Sequence, residues 1–217
     1  DSMFELKGRF GKSITTALAR INGQSVGVVA NNPMFKGGAI DVDACEKTTS
    51  FLVMCDSFNL PIIFLVDQPG FMIGLEGEKR RAPSKIINWM NALALITVPK
   101  ISVIMRKSYG QAYLNMGGGR NSDAVVLWPT ADLGFMAPEV AVNVLYGVKK
   151  GDDKFEELVE QIGRDASAWN LAALHEAQYL IDPRQTRDLL KHLLVVHGSE
   201  LGRRVGEHKL ANWPTSY

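Results

Sequence analysis

Leu60-Pro61-Ile62-Ile63-Phe64-Leu65-Val66-Asp67-Gln68-Pro69-Gly70-Phe71 is the stretch that decides the fold. Pro61 stops whatever precedes it, and residues 62–66 are a short apolar run rich in branched side chains. A strand that is apolar on both faces belongs in a sheet covered on both sides, the habit of parallel sheets in α/β proteins. Residues 67–71 then form a turn at the strand's carboxyl end, where open α/β folds place their ligands.

The same pattern recurs on either side. Val26-Gly27-Val28-Val29-Ala30 reads as a buried strand ended by Asn31-Asn32-Pro33. The loop Phe35-Lys36-Gly37-Gly38-Ala39 follows, its paired glycines marking close approach or unusual dihedrals. Asp41 or Asp43 caps a helix reaching about Asn59, with Val42, Cys45, Thr49, Leu52 and Val53 at helical spacing. A charged loop at 76–85, carrying Lys79, Arg80, Arg81 and Lys85, precedes a helix at 84–95 with Ile86, Met90, Leu93 and Ala94 on one stripe and Trp89 beside it. Residues 101–105, 124–128 and 133–136 are further strands, and 106–109 lead into a short helix with Gly110 near its start. Pro138 suits the first turn of a helix reaching Tyr146. Residues 152–162, 164–177 and 183–197 read as helices, and the alternating charges of 149–160 as a solvated face. The first twenty-five residues show only short, mixed patterning, and the polar tail at 198–217 is expected to dock loosely or on a partner. Strands alternating with helices imply βαβ units and parallel strands.

A length of 217 residues sets one domain as the first expectation, and 46% hydrophobic with 22% charged residues is ordinary for a globular protein. A net charge of +1 argues against nucleic-acid or membrane-surface binding. No apolar run approaches the roughly 20 residues of a membrane span, and Asp1-Ser2-Met3-Phe4-Glu5 is no secretory signal, so a cytoplasmic location is expected. Cys45 and Cys55 sit in apolar helical stretches and are expected as buried structural thiols.

Side-chain chemistry is sparse. His175, His192, His197 and His208 are scattered, without a second ligand at metal spacing, and are expected at the surface or at helix ends. No nucleophile elbow and no P-loop appears, and Gly117-Gly118-Gly119-Arg120-Asn121 reads as a close-packed turn rather than a phosphate cradle. Tyr109-Gly110-Gln111-Ala112-Tyr113 follows a strand and opens a helix, whose first amides lack internal partners and carry partial positive charge. Such amides can stabilise an oxyanion, each worth about 3 kcal/mol of barrier. From the residues alone, a tight packing turn is the plainer reading and an oxyanion site the alternative.

Several segments, in order, resemble the C-terminal half of the carboxyltransferase subunit of biotin-dependent acyl-CoA carboxylases, of the propionyl-CoA and acetyl-CoA carboxylase type. They are Val28 to Met34, Gly38 to Ala44, Cys55-Asp56-Ser57-Phe58-Asn59-Leu60-Pro61 with Val66-Asp67-Gln68-Pro69-Gly70-Phe71, and Val98-Pro99-Lys100. Arg106-Lys107-Ser108-Tyr109-Gly110-Gln111-Ala112-Tyr113, Trp128-Pro129-Thr130-Ala131 and Ile181 to Arg187 complete the series.

The resemblance implies a crotonase-like α/β fold, a spiral of ββα units with C-terminal helices. It implies that residues 1–217 are the biotin-facing domain and that the acyl-CoA-binding N-domain is absent from this chain. The implied reaction moves the carboxyl group from carboxybiotin to the α-carbon of an acyl-CoA, with both enolates held by backbone amides and no side-chain base. The oxyanion amides map onto Gln111 and Ala112, and Tyr109, Gly110, Tyr113, Leu114, Gly70, Phe71, Gly37 and Gly38 onto biotin or substrate binding. The family often has glycine where Gln111 stands, and aspartate at the substrate-tuning position held here by Leu114. Implied partners are biotin carboxyl carrier protein, biotin carboxylase and the N-domain, in a homo- or hetero-oligomer, with biotin as cofactor and no metal. The rival readings are a biotin-dependent acyl-CoA decarboxylase subunit, a biotin-independent crotonase-fold hydratase or isomerase, and a scaffold that has lost catalysis.

Overall fold

Residues 62–66 lie at the centre of a mixed eight-stranded sheet in the computed structural model, which describes residues 2–198 and 207–209. β4 (Ile62–Gln68) runs parallel to β3 (Gln24–Asn31) on one side and β5 (Lys100–Tyr109) on the other. The parallel run continues through β6 (Ala124–Leu127) to β8 (Tyr179–Leu180). β7 (Asp132–Gly134) pairs with residues 107–109, beyond the point where β6 leaves β5. β5 therefore projects past its neighbour, and its last residues carry a separate short strand.

Side chains of β4 alternate between two packed faces, as the strand period of two requires. Ile62, Phe64 and Val66 join Leu52, Trp89 and Leu93 on the face covered by α1 (Val42–Ser57) and α3 (Ala82–Leu95). Ile63 joins Val103, Val126 and Leu193 on the face covered by α8 (Thr186–Gly198). Asp41 is the cap of α1, its carboxylate accepting the Ala44 amide at 2.9 Å. α5 (Pro138–Tyr146) begins at its proline as expected.

The start of the chain departs from the expectation. It forms β1 (Phe4–Leu6) and β2 (Ile14–Ile21), and both β1–β2 and β2–β3 pair antiparallel. The signal for the hairpin is Asn22-Gly23, with φ +51° and +82°, the pair that a two-residue turn with positive φ demands. The sheet is thus an antiparallel meander joined to parallel strands.

Several helices also shift. The charged loop at 76–85 contains α2 (Leu75–Lys79) and the start of α3. On α3 the buried residues are Trp89, Ala92 and Leu93, while Ala94 is exposed, so the stripe centres on the tryptophan. α6 (Phe155–Asp165) starts later than expected, after a turn, and buries only Phe155. α7 (Ala168–Ala173) is much shorter than 164–177, because the chain turns at His175, φ +60°, to reach β8. Residues 133–136 hold strand only in their first half.

Most of the polar tail, 199–206 and 210–217, lies outside the described residues. His208 is described, and it is not a free surface histidine: its Nδ1 lies 3.3 Å from Oδ2 of the buried Asp56. The triple glycine at 117–119 is close-packed, since a Cβ at Gly117 would meet the Phe64 ring at 2.9 Å.

Cys45 and Cys55 are buried in α1, and burial pushes each thiol up to about 12. At pH 8 about one thiol in ten thousand would be ionised, and the thiolate is the reactive species. Both cysteines should resist an aromatic disulfide reagent in the native protein and react only after denaturant is added, as followed by absorbance.

Candidate active site

Gly110 joins β5 to α4 (Gln111–Asn115) with φ 63° and ψ −152°, backbone that a side chain would strain. Its amide donates to the Gly134 carbonyl at 2.9 Å, so β7 fixes the turn. The Gln111 and Ala112 amides then open α4, and neither meets an acceptor among the described residues. Ala112 buries its methyl in the core, while the Gln111 side chain reaches along α4 to Asn115 Oδ1 at 3.3 Å.

Gly110, Gln111, Tyr113 and Leu114 line a cleft of about 440 Å³. Its remaining walls are largely apolar: Leu133 and Phe135 come from the β7 segment, and Leu171 and Leu174 from α7 and its end. Glu176 supplies a carboxylate at the wall. The sequence reading missed these five residues. Leu133 was legible only as strand, and residues 171–176 reach the cleft through a fold-back that periodicity does not report. Gly134 was the accessible clue, a glycine in a strand being a mark of close backbone approach.

Tyr109 does not line the cleft. Its ring is buried, and its hydroxyl donates to the Asp132 carboxylate at 2.5 Å. Burial first, and the Asp132 carboxylate second, push the phenol up, so it stays a proton donor. Its place is as an anchor between the ends of β5 and β7. Tyr109→Phe should lower stability by about 1–3 kcal/mol, the cost of leaving a part-buried carboxylate without its donor, as read by urea denaturation. Tyr113 is the aromatic wall of the cleft. Its phenol is also pushed up by burial, and its hydroxyl oxygen accepts the Gly119 amide at 2.7 Å.

Gly37, Gly38, Gly70 and Phe71 gather elsewhere, along the carboxyl ends of β3 and β4, and do not line this cleft. Gly38, φ +83°, passes so near β4 that a Cβ would stand 2.8 Å from the Asp67 carbonyl. Ile40 bridges Phe71, donating to the Gly70 carbonyl at 3.0 Å, and Phe71 packs edge-on against Trp89 with ring centres 6.2 Å apart. Gly38, Gly70 and Phe71 thereby pin the turn after β4. Beside them, Asp67 accepts a two-pronged contact from Arg106, at 2.8–3.2 Å, more than it accepts from backbone amides. Gln68, fully buried, directs Nε2 toward Ser108 Oγ and the Tyr109 carbonyl at 3.3 and 3.4 Å. Three of the four basic residues of the 76–85 segment are engaged in ion pairs, Lys79 with Glu76, Arg80 with Asp43 and Lys85 with Glu46, while Arg81 is exposed at the start of α3.

Among the described residues no group of His, Cys, Asp or Glu is arranged to hold a metal ion, and no helix is long and apolar enough to cross a membrane. What the cleft offers is the head of α4 beside an apolar, partly enclosed volume: Gly110 and Gln111 line it, while Ala112, one residue on, is buried behind them with its amide also lacking an acceptor among the described residues. That set can take a flat, largely apolar group bearing one oxygen on which negative charge develops.

Residues 1–196 match the carboxyl transferase domain model. The chain is 36% identical to the methylmalonyl-CoA carboxyltransferase 12S subunit of Propionibacterium freudenreichii subsp. shermanii, over 97% of this chain and 41% of that protein. It is 34% identical to the methylmalonyl-CoA decarboxylase subunit alpha of Veillonella parvula, over 93% of this chain and 39% of that protein. The crystal structure of transcarboxylase 12S, with methylmalonyl-coenzyme A bound, superposes with a TM-score of 0.87 at 34% identity, covering 91% of this chain and 39% of that one. The chain therefore spans about two fifths of the length of these relatives. The likeness bears out the crotonase-like α/β class, and with it the resemblance drawn from the motifs. On the family model, which takes in all but the last residues, the chain belongs to the carboxyl transferase domain family.

Proposed function

We propose that this chain is the biotin-facing C-terminal domain of a carboxyltransferase that moves a carboxyl group between carboxybiotin and the α-carbon of an acyl-CoA. The observation that carries the reading is the head of α4, where the Gln111 and Ala112 amides have no acceptor among the described residues and Gly110 and Gln111 line the apolar cleft. Carboxybiotin, borne by a carrier protein, supplies the carboxyl group and a ureido oxygen that becomes negative as that group departs. The two amides donate to that oxygen, and the α4 dipole reinforces them. Amides fixed by Gly110 and Gly134 need no reorganisation as the charge develops, which is what makes such donors effective. Tyr113 and the leucine walls exclude water from the same volume and strengthen both hydrogen bonds.

The second oxyanion, on the acyl thioester, falls to an acyl-CoA-binding N-domain facing this one. Phe135, Trp169 and Leu174 are each at least 66% exposed at or near the cleft, an apolar rim of the kind a facing domain covers. Leu114, where relatives of the carboxylase type often carry aspartate, gives the acyl side an apolar wall and favours longer or unbranched chains.

The test combines the purified chain with a matching N-domain, biotin carboxylase, biotinylated carrier protein, ATP and labelled bicarbonate, over a panel of acyl-CoAs. Label in the acyl-CoA supports the proposal. Loss of label from a carboxylated acyl-CoA to biotin, without the forward reaction, would favour the decarboxylase direction, which the Veillonella relative motivates. Hydration or isomerisation of enoyl-CoAs with no carboxyl transfer would overturn it.

A further inference from the structure

The turn between β1 and β2 builds a second recess, unrelated to the cleft. Arg9, Lys12 and Ser13 line a cavity of about 240 Å³ together with Lys36, Asp41 and Asp43. It lies where β3 and β4 deliver their carboxyl ends, because Asn32 donates to the Ser13 carbonyl at 2.8 Å and the turn at 36–38 packs on β4. Its floor is the first turn of α1: a Cβ on Gly11, φ +52°, would stand 2.8 Å from the Asp43 carbonyl.

The charges in this recess do not cancel. Asp41 is paired with Lys36 at 2.5 Å, and Asp43 with Arg80. Arg9 and Lys12 have no carboxylate partner among the described residues, Lys12 resting over the Phe35 ring at 5.4 Å. Ser13 is 1% exposed, yet its hydroxyl meets no hydrogen-bond partner among the described residues. A buried hydroxyl left unpaired costs stability, so a ligand oxygen brought within its reach would recover that cost. Two uncompensated cations and an idle hydroxyl share one small concavity, and its two carboxylates are already engaged, Asp41 with Lys36 and the α1 amide that it caps, Asp43 with Arg80.

We infer that this recess is an anion site for a phosphate group, with Arg9 and Lys12 as its charged contacts and Ser13 as a neutral donor. A dianionic phosphate monoester is the fitting class, because Arg9 offers a planar fork and Lys12 a point charge, the usual complement of phosphate oxygens. Such a group has two sources, the nucleotide end of a coenzyme A ester or free phosphate. The site's chemistry stands apart from carboxyl transfer, and only the coenzyme A source rests on that reading.

The experiment titrates inorganic phosphate, coenzyme A and dephospho-coenzyme A into the full chain at low ionic strength, by calorimetry and ³¹P line width. Wild type is compared with Arg9→Ala/Lys12→Ala, Lys12→Glu and Ser13→Ala, each with its melting temperature. Arg9 and Lys12 are exposed, so their variants should melt as wild type does. Saturable phosphate binding is expected, weakened roughly tenfold or more by the double substitution and by Lys12→Glu, and a few-fold by Ser13→Ala. Coenzyme A binding at least tenfold tighter than dephospho-coenzyme A assigns the site to the nucleotide, and equal binding of the two assigns it to free phosphate. Absence of saturable binding by all three probes, or affinities unmoved by the charge changes, overturns the inference. A chain that binds phosphate yet transfers no carboxyl group would count against the proposed function alone.

Discussion

Gly110→Ala should remove most carboxyl transfer while leaving a folded chain. The native dihedrals, φ 63° and ψ −152°, lie in a region that costs a side-chain-bearing residue about 1–3 kcal/mol. An added Cβ would also stand 3.3 Å from the Phe135 carbonyl, so the turn cannot keep both its path and its neighbour. Relief comes by rotating the 110–111 peptide, and that moves the very amides on which the proposed chemistry depends. A displacement of about 1 Å at a reacting centre costs on the order of 100-fold, and loss of one oxyanion donor 100- to 1000-fold. The expected result is a fall in kcat of at least about 100-fold with a modest rise in KM, and a melting transition that remains cooperative. Transfer within about threefold of wild type would mean that the turn only packs.

Gly118→Ala should act by a different route, through the ring of Tyr113. Gly118 has ordinary dihedrals, φ −71°, so alanine meets no backbone strain. It meets the Tyr113 ring at 2.1–2.6 Å, closer than real side-chain carbons approach one another. The ring cannot yield easily, because its hydroxyl is tied to the Gly119 amide at 2.7 Å and the ring is a wall of the cleft. Overpacking of this kind costs about 1–3 kcal/mol. Chemical denaturation should show that loss, and on the proposed function a separate titration should show weaker binding of carboxybiotin. Gly118→Ala/Tyr113→Leu isolates the cause, since removing the ring should recover most of the stability. A double variant no more stable than Gly118→Ala would refute the steric account.

The strands that lie deepest were the easiest to read. Residues 62–66 are apolar without interruption, and 101–105 are broken only by the buried Ser102, because both faces of the sheet are covered, and composition alone then marks them. The hairpin before β3 was harder, because β2 mixes buried and part-exposed positions and its alternation is blurred, although Asn22-Gly23 stood in plain view. The site divides in the same way. Gly110 and the two amides after it follow from a local rule about helix starts. Phe135, Leu171, Leu174 and Glu176 follow from none, since they meet the turn only after β7, α6 and α7 have folded back. Gly38 and Phe71 show a glycine-marked loop at work in the fold: Gly38 passes close to the Asp67 carbonyl and Phe71 bridges Ile40, joining the segments that follow β3 and β4.

The open amides at the head of α4 carry one more implication, for inheritance rather than for rate. Every residue except proline brings a backbone N–H, so the donors survive almost any replacement of Gln111, and the reaction is written in dihedral angles more than in letters. Such donors also hold their protons across the whole working pH range. On the proposed chemistry, then, acidity offers no handle on this half of the centre. Evolution would adjust it by moving the glycines that aim the turn, with the residue at 111 left to drift.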